Sequence, residues 1–148
     1  GVDALSFGLS KNGIMFGEAV VLFRPELAQW GLNLRKQTTQ LASKMRYIAA
    51  QYTAMIEGDL WAENARQANA LAARLAGSIQ PLPGMELAYP VEANGVFPSM
   101  PEKAINALRE GWGFYLWEPE ENIVRLMLSF DSAEEDVDQF VGALKELV

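Results

Sequence analysis

The 148-residue chain is half hydrophobic, carries 12 basic and 19 acidic side chains for a net charge of −7, and contains neither cysteine nor histidine. Such a composition supports a folded core and excludes disorder, while the acidic balance opposes binding to nucleic acid or an anionic membrane surface. Without Cys or His there is no disulfide, no zinc site of the usual donors and no hydrolase triad, so no metal is expected; no apolar run approaches the ~20 residues that span a bilayer. The chain is therefore read as soluble and cytoplasmic.

Residues 2–7 and 18–23 read as two strands, the second a run too short and too apolar for a free-standing helix. Between them Lys11 stands on a turn punctuated by Gly13 and Gly17. A lysine taken out of water loses its charge readily, and a neutral amine condenses with an aldehyde cofactor; the alternative is a solvated loop lysine. Two strands cannot hide their own faces, so they are expected to belong to a larger sheet, or else to form a small hairpin packed on the helices that follow.

Pro25 opens a helix at a position where a missing N–H is harmless, with Leu27, Trp30 and Leu34 on one side. A second helix is predicted over 38–56 from the recurrence of Leu41, Met45, Ile48, Ala49, Tyr52 and Met55, with Gly58 as its stop. Asp59 is expected to cap a third, whose stripe is Trp61, Ala65, Ala68, Ala72, Leu75 and Ile79. Pro81-Leu82-Pro83-Gly84 is a rigid break and a candidate subdomain join. Beyond it lie short strands over 85–89 and 95–97, a helix over 101–109, and strands over 113–117 and 122–130 joined by a turn at 119–122. Asp131 or Ser132 caps a last helix that buries Val137, Phe140, Val141 and Leu144. The second half is thus α+β with an antiparallel-biased sheet.

Alternation along 122–130 puts Arg125 with Ile123, Met127 and Ser129, opposite Val124, Leu126 and Leu128. A guanidinium in mid-strand calls for an anion, and its planar fork suits a carboxylate; a structural salt bridge or an edge-strand arginine in water are the other readings. Arg35, Lys36, Lys44 and Arg46 form a basic cluster that a solvated helix face would also explain. Trp112, Phe114, Tyr115 and Trp117 are read as core and cleft wall rather than a stacking platform for bases.

The run Asp3-Ala4-Leu5-Ser6-Phe7-Gly8-Leu9-Ser10-Lys11-Asn12-Gly13, with Gly17-Glu18-Ala19-Val20-Val21-Leu22-Phe23 after it, resembles the lysine segment of low-specificity L-threonine aldolases. These are pyridoxal-phosphate enzymes of the aspartate-aminotransferase fold type. The likeness extends through Arg35-Lys36, Ser43-Lys44-Met45-Arg46, Ala65-Arg66-Gln67-Ala68-Asn69, Pro90-Val91-Glu92-Ala93-Asn94 and Val124-Arg125-Leu126. It implies a C-terminal portion that begins just before the cofactor lysine. Residues 1–58 would end the cofactor-binding large domain, contributing two strands of its sheet and connecting helices, and residues 59–148 would form the small α+β domain.

The resemblance further implies that Lys11 carries pyridoxal 5'-phosphate as a Schiff base and that Arg125 holds the substrate α-carboxylate. Arg46 and Lys36 would reach the cofactor phosphate in a neighbouring subunit, with Lys44 as a substitute for Lys36. The expected activity is retro-aldol cleavage of L-threonine or L-allo-threonine to glycine and acetaldehyde by a homodimer or homotetramer. The family's stacking histidine, glycine-rich phosphate loop, pyridinium-binding aspartate and second carboxylate arginine lie outside these residues, so the 148 residues alone are expected to be inactive. The rivals are a β-eliminating lyase of the same fold type and a non-catalytic oligomerisation module.

Overall fold

The computed structural model describes residues 1–148, which divide into two compact units, Gly1–Ala62 and Glu63–Val148. In the first, β1 (Ala4–Gly8) and β2 (Glu18–Leu22) pair antiparallel, with Ala4 opposite Leu22 and Gly8 opposite Glu18. Three helices follow: α1 (Pro25–Ala28), α2 (Gly31–Gln37) and α3 (Met45–Glu57). The buried interior is small. Leu9, Ile14 and Met55 form it, with Phe7 and Tyr52 packed alongside. Elsewhere the unit displays apolar side chains, Met15 at 89%, Leu32 at 80% and Val20 at 70% exposure among them. That display is far beyond the scattered single hydrophobes of an ordinary surface, and a lone two-stranded ribbon is marginal in water.

Several expectations change in this unit. The helix begun by Pro25 is broken at Gln29–Trp30, and Leu27, Trp30 and Leu34 are exposed rather than packed. The helix expected over 38–56 starts only at Met45, because the chain leaves α2 through Thr39 in the left-handed region at φ 61°. The Thr38 hydroxyl donates to the Leu34 carbonyl at 2.9 Å and closes α2 there, a side-chain bond that competes with helix continuation. Gly58 ends α3 at an ordinary φ of −101°, and the left-handed residue at the junction is Asp59, at φ 54°.

The second unit is built on α4 (Leu60–Ile79), whose Ala68, Leu71, Ala72, Leu75, Ala76 and Ile79 are buried at helical spacing. Its sheet contains β3 (Glu86–Leu87), β4 (Gly95–Val96), β5 (Pro98–Ser99), β6 (Tyr115–Glu118) and β7 (Ile123–Met127). Every pairing is antiparallel. β7 pairs with β4, β5 and β6, and Ile123 is opposite both Ser99 and Glu118, so β7 lies inside the sheet. Two helices, α5 (Glu102–Leu108) and α6 (Glu134–Lys145), complete the core with Ala104, Ile105, Leu108, Val137, Phe140, Val141 and Leu144. Arg74 on α4 ties to α6 by ion pairs to Glu134 (2.7 Å) and Asp138 (2.8 Å).

Pro81–Gly84 is not the join. Leu82 and Met85 pack on the same core as α4, and the division falls instead within the first turn of α4. The last helix is capped by neither Asp131 nor Ser132. Its N-cap is Ala133, whose N–H donates to Asp136 Oδ2 at 2.8 Å, while the Ser132 hydroxyl is taken by the Ser129 N–H at 2.9 Å. Both helices and sheet are present as the α+β reading requires.

Candidate functional site

Lys11 sits in a single 3-10 turn, Ser10–Asn12, between two buried anchors, Leu9 and Ile14. The Leu9 carbonyl accepts from both the Asn12 N–H (2.9 Å) and the Ile14 N–H (3.2 Å), which folds the turn back on itself. Gly13 follows at φ 123°, a conformation that L-residues with a Cβ rarely adopt. The lysine side chain is exposed and makes no hydrogen bond or ion pair. Burial, the feature the sequence reading attached to its chemistry, is therefore not supplied by these 148 residues. What they supply is a fixed backbone and a free amine.

α3 provides much of the fixing. The Tyr52 hydroxyl lies 2.9 Å from the Phe7 carbonyl oxygen and 3.2 Å from that of Gly17, sharing its one proton between the end of β1 and the approach to β2. Burial first, and then the Glu18 carboxylate, push this phenol above its ordinary pKa, outweighing the opposite pull of the backbone at Leu9 and Ala19. One residue earlier, Gln51 Oε1 accepts the Met15 N–H at 2.8 Å. Gly17 is required: at φ 132°, a Cβ there would stand 2.6 Å from Ile48 Cγ2. Asn12 Nδ2 donates to the Trp61 carbonyl at 3.0 Å.

Lys36, Lys44 and Arg46 are exposed. Lys36 lies in the last turn of α2, where a positive charge suits the helix dipole, and Lys44 is the N-cap position of α3. Arg46 stands in the first turn of α3, which holds no acidic residue. A lone cation is unfavourable at that end of a helix, whereas one that shares the helix N-terminus with a bound anion is not. None of the three makes an ion pair. Asp3, beside the lysine strand, is taken up by Arg24 at 3.7 Å.

In the second unit, Val124, Leu126 and Leu128 enter the core, and Arg125 and Met127 emerge on the opposite face of β7. Arg125 is half-buried in an interior strand and has no acidic partner, so it is neither a structural salt bridge nor an edge arginine. Its Nε donates to Met127 Sδ at 3.2 Å and its guanidinium lies over the Trp117 ring, 5.6 Å from the centroid. That contact leaves the two terminal nitrogens unpaired. Trp117 occupies the irregularity in β6 between Leu116 and Glu118, and Phe97 meets it edge-on at 5.5 Å. Phe97 in turn meets Tyr89 at 5.6 Å, and the Tyr89 hydroxyl donates to Glu118. Gly95 makes room, since a Cβ would come within 3.2 Å of Phe97 and 3.3 Å of Met127.

A separate cleft of about 260 Å³ lies on the core side of the sheet, lined by Leu126, Leu128, Trp112, Phe114, Val137 and Phe140. Arg125 does not line it. The expectation for the aromatic cluster holds for Trp112 and Phe114, which pack on the core, while Tyr115 and Trp117 lie exposed.

The chain is 40% identical over 149 residues to a low specificity L-threonine aldolase of a Pseudomonas species, a match that covers all of this chain and 43% of that protein. It is 45% identical over 146 residues to the Pseudomonas aeruginosa protein of the same description, covering 98% and 42%. A solved structure of Leishmania major threonine aldolase superposes with a TM-score of 0.89 at 30% identity, over 98% of this chain and 43% of that one. Over essentially its whole length the chain is similar to threonine aldolases. It spans less than half the length of these relatives. No protein-family model matches it.

Within the chain, Lys11, Lys36 and Arg46 belong to the first unit and Arg125 to the second. The supporting residues were mostly out of reach of sequence reasoning. Tyr52 and Gln51 read as members of a helical stripe, and Trp117 as cleft wall. Only the paired glycines Gly13 and Gly17 announce an unusual backbone in advance.

Proposed function

We propose that the intact protein is a pyridoxal-phosphate-dependent aldehyde lyase that cleaves L-threonine or L-allo-threonine to glycine and acetaldehyde. The observation that carries this reading is the 40–45% identity of essentially the whole chain to low specificity L-threonine aldolases. The residues present suit the cofactor. Lys11 offers the free primary amine that condensation with an aldehyde needs, and Arg46 and Lys36 are uncommitted cations appropriate to a phosphate. When bound, pyridoxal phosphate supplies the electron sink for the pair released from the Cα–Cβ bond.

Each residue of this chain then has a definite task. Lys11 would hold the cofactor through its free amine. Arg125 receives the α-carboxylate on its two free nitrogens, with Trp117 beneath and Met127 beside it, which fixes how the substrate can rotate about Cα. Arg46, with Lys36 as its weaker companion, neutralises the phosphate. The residue that accepts the β-hydroxyl proton belongs to the remainder of the polypeptide, and the 148 residues alone are inactive.

The cation positions of Lys36 and Arg46 and the exposed apolar face of the first unit agree with self-association of the intact protein as a dimer or tetramer. They also agree with burial of that face by the rest of the polypeptide. β-Elimination would use the same lysine and arginine, but no feature favours it, and both curated relatives are described as aldolases. The test is release of glycine and acetaldehyde from L-threonine by the full-length protein. Lys11→Ala is expected to abolish it; turnover retained in that variant would remove Lys11 from the mechanism.

A further inference from the structure

The flanks of the lysine turn are held by side chains of α3. Tyr52 bonds the carbonyls on both flanks of the segment, Phe7 before it and Gly17 after it, at 2.9 and 3.2 Å, and Gln51 takes the Met15 N–H between them at 2.8 Å. Tyr52 also packs its ring against Phe7, with centroids 6.2 Å apart, in the small cluster that contains Leu9, Ile14 and Met55. The same helix contributes Ile48, whose methyl group occupies the space a Cβ at Gly17 would need. Backbone polar groups at the mouth of the Lys11 loop are thus satisfied by side chains of α3.

We infer that Tyr52 is a positioning residue for Lys11, its hydroxyl setting the spread of the two strand ends and hence the direction in which the amine is delivered. The inference rests on Lys11 being the cofactor-bearing amine. The phenol is suited to the task because it remains a neutral donor well above physiological pH. Its hydroxyl is spent on the carbonyls of Phe7 and Gly17, so it acts through the backbone of the lysine segment. Its removal leaves the amine present but loosens its aim, and misplacement by a fraction of an ångström lowers a reaction rate without abolishing binding.

The experiment uses the full-length enzyme with Tyr52→Phe, which keeps the ring and deletes the hydroxyl, and Gln51→Leu as a second variant acting on the same loop by a different bond. Wild type and variants are reduced with borohydride in the presence of pyridoxal phosphate and peptide-mapped. They are also compared by kcat and KM for L-threonine, by the absorbance band of the lysine-bound cofactor, and by hydrogen exchange of the peptide spanning 9–17. The expected result is label at Lys11 in every protein, faster exchange confined to that peptide, a shifted band, and kcat lower by about 10- to 100-fold with KM within about twofold. Label at Lys11 with kcat within about twofold of wild type in both variants overturns the positioning role alone. Wild-type enzyme without label at Lys11 overturns the cofactor assignment and this inference together. Where Tyr52→Phe fails to accumulate, Gln51→Leu is judged by the same criteria.

Discussion

Lys11, Arg125 and Gly17 differ in how plainly their sequence context announced them. Lys11 is legible as a lysine on a glycine-marked turn, whereas the exposure of its side chain within these 148 residues is not, because a local strand pattern does not show where a turn side chain points. Arg125 was legible by alternation, since a cation opposite Val124 and Leu126 breaks the apolar pattern of a strand. Its lack of any acidic partner and its seat on Trp117 depend on contacts between β6 and β7 that no local pattern encodes. Arg125→Lys keeps the charge but loses the fork and the flat face, so KM for L-threonine is expected to rise about 10- to 100-fold with a smaller change in kcat. A change in kcat alone would contradict the carboxylate role. Gly17→Ala meets both the positive φ and Ile48 Cγ2, and is expected to destabilise by roughly 1–3 kcal/mol, read as a lower denaturation midpoint. An unchanged midpoint would mean the loop relaxes freely.

At the level of elements, α4, α6 and β7 were recoverable because their apolar stripes are long or strongly alternating and because the core they face lies within the chain. Helices α1, α2 and α3 were misjudged in extent. The apolar residues of α1 and α2 are exposed here, so periodicity had no core against which to register, and local bonds such as Thr38 to Leu34 decided the ends. The contrast predicts where mutations bite. Leu108→Ala, at 1% exposure on α5, leaves a cavity in the second unit and is expected to lower its stability by about 2–5 kcal/mol, measurable by denaturant titration.

The Tyr52 bond between α3 and the β1–β2 hairpin carries a pH signature. Since folding raises this phenol above its unfolded value of about 10, its stabilising contribution is complete below that pH. It is lost as pH rises through the higher folded value. Spectrophotometric titration should therefore show a late-ionising tyrosine that Tyr52→Phe removes.

On the scale of the whole molecule, the two units stand in different physical situations. Glu63–Val148 owns a continuous core, while Gly1–Ala62 holds three buried hydrophobes and a wide apolar surface. The 148-residue chain on its own is accordingly expected to bind hydrophobic dyes and to self-associate, and the full-length protein to do neither at the same surface. Equal dye binding by both would mean that the rest of the polypeptide leaves this face uncovered. The central claim, the proposed role of Lys11 as the cofactor-bearing amine, is tested most directly by reducing the full-length protein with borohydride in the presence of pyridoxal phosphate and mapping the modified peptide. The account predicts a stable adduct on Lys11, absent in Lys11→Ala. An adduct on another lysine, with Lys11 unmodified, would contradict it.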